Sequence, residues 1–245
     1  MSGRQILDEV ANRHERPNEY EEQKMLLVDQ GSGSTEERLM LRFQRDEGGG
    51  EKKLLSVFKK PAGVKGTALL TWQHAEGADD QWLYLPSTGK RMKRIAKGGK
   101  RNPFMGTDYT YEDLVSESRD KFDYKREPDA TLDGQATFVV IATPTDPELK
   151  KDTGYKFRKM WIRQDIFFVV QVEFHDRRGR LIKRQISTEL EKIDGSTWRA
   201  QRNEMTHLTN KHQTIIEVIK RSFDAGDVPA RNFQQRTITS GRVLR

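Results

Sequence analysis

The chain has 245 residues, 34 % apolar and 33 % charged, and 44 Lys and Arg against 37 Asp and Glu give it a net charge of +7. With no cysteine, disulfide staples, thiolate catalysis and Cys-based zinc sites are excluded. No apolar run approaches the ~20 residues of a membrane-spanning helix, and the two charge signs are interspersed, so the excess permits nucleic acid or anionic lipid as a partner and demands neither.

Ile6, Leu7, Val10 and Ala11 recur at helical spacing between Arg4 and His14, and Pro17 ends the pattern. That predicts one amphipathic helix within residues 1–17, packed on whatever follows. From Tyr20 the period becomes two. Met25 and Leu27, then Leu39, Leu41 and Phe43, then the run from Leu54 to Phe58, predict antiparallel hairpins. Their turns fall at Gly31-Ser32-Gly33-Ser34 and Gly48-Gly49-Gly50. Two more strands, Thr67 to Gln73 and Gln81 to Leu85, flank the acidic turn at Asp79-Asp80. Residues 97–110 are rich in Gly and basic side chains, lack any period and read as a long mobile loop. A short helix at 111–115 follows, with Thr107 or Thr110 as its cap.

In the second half Phe138, Val140 and Ala142 alternate with Val139 and Ile141. Tyr155, Phe157 and Trp161 read as one face of a strand, and Ile166, Phe168, Val170, Val172 and Phe174 as one face of the next. Asp176-Arg177-Arg178-Gly179 and Asp194-Gly195 are turns. Trp198 to Leu208 and Thr214 to Phe223 complete the strands, and residues 224–245 read as a short helix and a tail. Roughly ten to twelve strands without βαβ spacing give a mainly β fold with a few helices. The expected architecture is a curved antiparallel sheet forming a half-open β-barrel, a single domain over residues 18–223, with helices covering the concave face.

Little in the chain points to catalysis. His14, His74, His175, His207 and His212 include no i,i+4 pair, and HExxH and GxSxG are absent. The histidines read as surface strand side chains, although His207 and His212 lie in or beside adjacent strands and can approach each other. Asp79-Asp80 and Glu21-Glu22 are neighbours whose side chains point apart on a strand. Lys97-Gly98-Gly99-Lys100 matches no phosphate-loop motif. The expectation is a protein that is not an enzyme, with no cofactor and no metal site.

Two features suggest binding. Arg91, Arg94, Lys97, Lys100 and Arg101, with Lys90 and Lys93, crowd one hairpin and its loop. Base-stacking aromatics are not interleaved there, which argues against nucleic acid. Docking to an anionic membrane surface or an acidic partner suits a mobile cationic loop better, and a merely solvated loop is the plain alternative. The second feature is apolar area on the strands. It is either ordinary core against the helices or an under-filled groove that admits an acyl chain, at about 0.8 kcal/mol per buried CH₂.

The middle of the chain carries a resemblance. Phe58-Lys59-Lys60-Pro61, Lys65-Gly66-Thr67-Ala68-Leu69-Leu70, Asp80-Gln81-Trp82-Leu83-Tyr84-Leu85-Pro86, Arg91 to Ile95, Phe104-Met105-Gly106-Thr107-Asp108 and Tyr111-Glu112-Asp113-Leu114 follow in order. This string resembles the outer membrane lipoprotein-sorting protein family, relatives of the periplasmic carriers LolA and LolB. The resemblance implies a half-open barrel and a Gram-negative periplasmic location, with a signal peptide removed ahead of Met1-Ser2-Gly3. It also implies carriage of lipid or lipoprotein acyl chains between membranes. A membrane transporter is the implied protein partner, and a role as an accessory or sensor module of such a complex is the alternative. The expected acyl-chain cavity comprises Leu39, Leu41, Phe43, Trp82, Tyr84, Phe104, Met105, Tyr111, Leu114, Tyr155, Phe157, Trp161, Phe168 and Val170. Phe104 and Met105 read as a lid or a membrane-touching tip.

Overall fold

A computed structural model describes residues 1–89 and 91–244; Lys90 of the basic segment and Arg245 of the tail lie outside the described residues. The strands are β1 (Asn18–Asp29), β2 (Thr35–Gly48), β3 (Glu51–Lys60), β4 (Ala68–Gln73), β5 (Asp80–Tyr84), β6 (Lys93–Arg94), β7 (Phe122–Leu132), β8 (Gln135–Pro144), β9 (Tyr155–Arg163), β10 (Phe168–Asp176), β11 (Leu181–Asp194), β12 (Thr197–His207) and β13 (His212–Ser222). The α-helices are α1 (Gly3–His14), α2 (Pro147–Thr153) and α3 (Gln235–Thr239), with single 3₁₀ turns elsewhere. The strands form one sheet in the order β6-β5-β4-β3-β2-β1-β13-β12-β11-β10-β9-β8-β7. Its two ends, β6 and β7, are consecutive in the chain and unpaired with each other, so the sheet is not closed into a barrel. The mainly β class with few helices is the one the alternation predicts. Strand β7 and helix α2 have no counterpart in the sequence reading. The first is charged and carries Pro128 at a register shift, and the second is a seven-residue helix opened by Asp146 and Pro147.

The chain packs as two compact units. The first comprises Met1–Glu15, Leu27–Ser34 and Gly98–Ile215. Here α1 covers one sheet face. Its N-cap Ser2 and Gln5 form a capping box. Ile6 and Leu7 enter a cluster with Phe122, Val140, Ala142, Met160 and Ile162. Gly3 permits the approach: a Cβ there would lie 2.8 Å from the Tyr124 carbonyl oxygen. The second unit comprises Arg16–Leu26, Thr35–Lys97 and Ile216–Arg245. Its cluster joins β2 to β5 with Val228, Phe233 and Ile238 of the C-terminal segment.

Two bulges revise the face assignments. Beside β10 the pairing steps from Phe157↔His175 to Tyr155↔Asp176, leaving Lys156 as an extra residue in β9. One extra residue turns the side chains beyond it to the other face. Tyr155 therefore packs on Phe174 at 5.1 Å, and Phe157 stacks instead on His175 at 4.3 Å. Val170 is the extra residue in β10, between the pairs Val169↔Ile162 and Gln171↔Trp161. Val169 and Val172 thus share the face of Ile162 and Met160, and Phe168 meets His14 edge-on at 5.3 Å. The single faces expected for each of these strands are corrected accordingly.

His14 is also not the surface strand residue expected: it ends α1 and is buried. Nε2 lies 3.2 Å from both the Ile166 and Phe167 carbonyl oxygens, and Nδ1 accepts the Trp198 N–H at 3.1 Å. The neutral tautomer with its proton on Nε2 meets both demands. Burial depresses the pKa below its ordinary 6.5, against the two carbonyls, which raise it.

Two outcomes are expected. Ile6→Ala empties a fully buried position and costs about 2–5 kcal/mol, measured by urea unfolding. For His14 the unfolded chain takes up the proton first, so the stability gained from the neutral ring is complete above about pH 6.5 and is lost as pH falls through 6.5 toward the lower folded value. Urea midpoints between pH 8 and 5 therefore fall further in the wild type than in His14→Gln. Parallel profiles would refute a neutral buried ring.

Candidate functional site

In the second unit, strand register assembles an apolar surface. Leu41 opposes Val57, Val57 opposes Ala68 and Ala68 opposes Tyr84. Beside this row run Phe43, Leu55, Leu70 and Trp82. Directly opposed residues share a face, so both rows face the C-terminal cover. Leu55 and Leu70 are fully buried and Tyr84 is 8 % exposed. Aromatic contacts extend the surface: Tyr20 on Phe43 at 5.1 Å and Trp72 against Trp82 at 5.0 Å. The Tyr84 hydroxyl donates to the Thr239 carbonyl oxygen at 3.3 Å, tying α3 to the sheet. Of the cavity residues expected in this unit, Leu41, Phe43, Trp82 and Tyr84 come together, whereas Leu39 is half-buried outside the cluster.

In the first unit the expected cavity residues disperse. Phe104 is fully buried and meets Tyr111 edge-on at 5.8 Å, so its ring is not offered to a membrane from a loop tip. Its amide donates to the Tyr109 carbonyl at 2.8 Å, and the Thr107 hydroxyl donates to the Phe104 carbonyl at 2.8 Å. Met105 holds the turn at φ 50°. Leu114 is half-buried in a 3₁₀ turn, Glu112–Leu114, where the short helix was expected. Trp161 carries the Lys159 ammonium over its ring at 5.0 Å. Among the basic docking residues, Arg91, Lys97 and Arg101 are exposed, Arg94 is ion-paired with Asp80, and Lys100 is 5 % exposed.

The first unit also holds a cavity of about 500 Å³ whose lining includes Arg101, Asp108, Tyr155, Lys183, His207 and His212. Lys183 of this lining forms a buried ion pair with Asp113, their side chains 2 % and 3 % exposed. The Lys183 ammonium also donates to the Asp108 carbonyl oxygen at 3.1 Å and sits over the Phe174 and Tyr155 rings at 4.8 and 5.2 Å. Asp113 accepts the Tyr155 hydroxyl at 3.0 Å and the Thr110 N–H at 2.7 Å. Burial lowers the Lys183 pKa, with Asp113 opposing that shift, and burial drives the Tyr155 pKa well above that of a free phenol. Asp108 accepts the Thr214 hydroxyl and His212 Nδ1, each at 2.7 Å. Lys183 escaped the sequence reading. Its signal is a lone lysine beside Leu181 and Ile182 on a strand, with Asp108 and Asp113 inside two of the motifs that carry the resemblance. Among the described residues no group of three or more His, Cys, Asp or Glu is placed to hold a metal ion, and no helix is long and apolar enough to cross a membrane.

An open antiparallel sheet with short covering helices is the LolA-like fold. A LolA superfamily protein from Nitrosomonas europaea shares it at a TM-score of 0.74 and 16 % identity, over 96 % of this chain and 98 % of that one. A DUF1329 family protein from Desulfovibrio piger superposes at 0.85 with 24 % identity, over 95 % and 98 % of the two chains. A structure described as an outer membrane lipoprotein-sorting protein domain, from Vibrio parahaemolyticus, superposes at 0.89 with 32 % identity, over 97 % and 98 %. A protein-family model described as "Uncharacterized protein" matches residues 50–240. No curated protein matches in sequence. The chain belongs to the outer membrane lipoprotein-sorting protein family.

Asp113→Asn leaves the Lys183 charge buried without its counter-ion, and a loss of about 3–5 kcal/mol is expected. The double variant Lys183→Met with Asp113→Asn removes both charges and loses less than the two single variants summed. A double-mutant cycle by urea unfolding measures this, and additive losses would show that the pair is not coupled.

Proposed function

We propose that the chain is a non-enzymatic periplasmic carrier that shields a lipid or lipoprotein acyl chain during transfer between membranes. The observation that supports this is the apolar face of the second unit. Leu41, Phe43, Trp82 and Tyr84 lie under Val228, Phe233 and Ile238, which belong to a 3₁₀ turn, a five-residue helix and their connections. Helices shorter than ~12 residues hold together poorly by themselves, so the cover is kept in place by its apolar side chains. An acyl chain presents the same chemistry to the same face, at about 0.8 kcal/mol per buried CH₂. Displacing the cover opens a binding surface without breaking a strand pair. The exposed Arg91 and Lys97 are suited to meet an anionic membrane surface or a membrane transporter. In the family, a fold used for lipoprotein sorting fits this role.

A second reading takes the completeness of the same cluster at face value: with Leu55, Leu70 and Val228 fully buried, the face is core, and the chain is an accessory or sensor module of a membrane complex. Titration with cis-parinaric acid, read by energy transfer from Trp72 and Trp82, separates the two, together with native mass spectrometry of the purified chain. The carrier reading expects saturable binding that Phe43→Arg abolishes and Phe233→Ala, which loosens the cover, strengthens. Absence of both co-purified lipid and fatty-acid binding would assign the accessory role instead.

A further inference from the structure

The charged and imidazole side chains that line the cavity of the first unit are not explained by acyl-chain carriage, and their hydrogen-bonding balance points to what the cavity accepts. The carboxylates that line it, and the one paired with its Lys183, are already hydrogen-bonded. Asp113 is held by Lys183, Tyr155 and Thr110. Asp108 is held by Thr214 and His212. Asp29, at the rim, accepts the Gly31 and Ser32 N–H groups at 2.8 and 3.0 Å. What remains is of the opposite kind. Among the described residues the Arg101 guanidinium has no hydrogen-bond or ion-pair partner, and it is exposed at the cavity. Its position is shaped by Gly154, whose absent Cβ would meet the Arg101 Cβ at 3.2 Å.

His207 adds a donor. Its Nδ1 accepts the Asn210 N–H at 3.3 Å, so in the neutral ring the proton sits on Nε2. His212 donates its Nδ1–H to Asp108, which leaves Nε2 of the neutral ring an unpartnered acceptor on a side chain that lines the cavity. These groups come from three separate points of the chain: the loop before the 3₁₀ turn, the end of β12 and the start of β13. A guanidinium and an Nε2–H that donate, lining one cavity with an imidazole nitrogen that accepts, match a phosphate ester whose P–O⁻ oxygens accept and whose hydroxyl donates, whereas a carboxylate only accepts. The volume, about 500 Å³, exceeds what a bare oxyanion fills and lies in the range of small-molecule sites. Pro103 and Ile182 in the lining give an ester substituent apolar contact.

We propose that this cavity binds a phosphoryl group, as a phosphate ester, through Arg101, His207 and His212. The assignment is independent of the carrier reading. The test uses the full chain, isothermal titration calorimetry and three probes: inorganic phosphate, sn-glycerol 3-phosphate, and monomeric dihexanoyl phosphatidylglycerol. At least one probe binds with one-to-one stoichiometry, and Arg101→Gln and His207→Gln each weaken it about tenfold or more. Lys192→Gln, at an exposed lysine outside the cavity, leaves it unchanged. Binding of glycerol 3-phosphate assigns the site to soluble phosphate esters, and binding of the lipid alone assigns it to a headgroup. No binding by any probe, or equal weakening by Lys192→Gln and Arg101→Gln, overturns the proposal. Urea midpoints of the variants confirm that each is folded. Failure of acyl carriage is read separately, because Phe43→Arg lies in the other unit and leaves Arg101, His207 and His212 in place.

Discussion

A sheet that does not close must find cover for its apolar face elsewhere in the chain, and this constraint organises the whole protein. Strand pairing satisfies the backbone, but it cannot bury the row from Leu41 to Tyr84 or the surface around Val140 and Ile162. Each unit meets the need with a chain terminus. In the first, α1 supplies a capped helix whose Ile6 and Leu7 are locked into place. In the second, the cover is a succession of short turns with no comparable internal stability. The difference in how firmly the two covers are built is what favours the second face for the proposed acyl-chain exchange.

The polar side of the first unit follows a different logic. Lys183 and Asp113 sit almost wholly out of water, and such a pair adds little net stability compared with apolar side chains of the same volume. It does fix geometry. Through Lys183 and Asp108 the loop carrying Phe104 is tied to β11 and β13, and Tyr155 is tied to the 3₁₀ turn that follows. The loop is therefore specified by hydrogen bonds at each of its corners, and Arg101 and His207 are left with free donors and His212 with a free acceptor.

Family membership and site chemistry act at different levels here. A lipoprotein-sorting fold accounts for the open sheet and its covered apolar face. It does not by itself account for a cavity ringed by imidazoles and a guanidinium. The acyl-chain role proposed for the apolar face and the phosphate-binding role proposed for the cavity are separate readings, and each is tested by its own ligand.

Alternation of period two determined the mainly β class, the hairpin meander and most of the residues that form the apolar face of the second unit, because a strand's inward set is written directly in its sequence. The α1 stripe was legible for the same reason at period 3.6. What only the tertiary structure decided depends on pairing. The bulges at Lys156 and Val170 separate Tyr155 from Phe157 and Phe168 from Val172, because one unpaired residue reverses every face beyond it and leaves no mark in the alternation itself. The cavity was illegible for a related reason: the loop carrying Arg101 and Asp108 is distant in sequence from Lys183 and from His212, and each side chain alone reads as solvated. Only the folded sheet shows that the carboxylates are satisfied and that the donors which remain face one space.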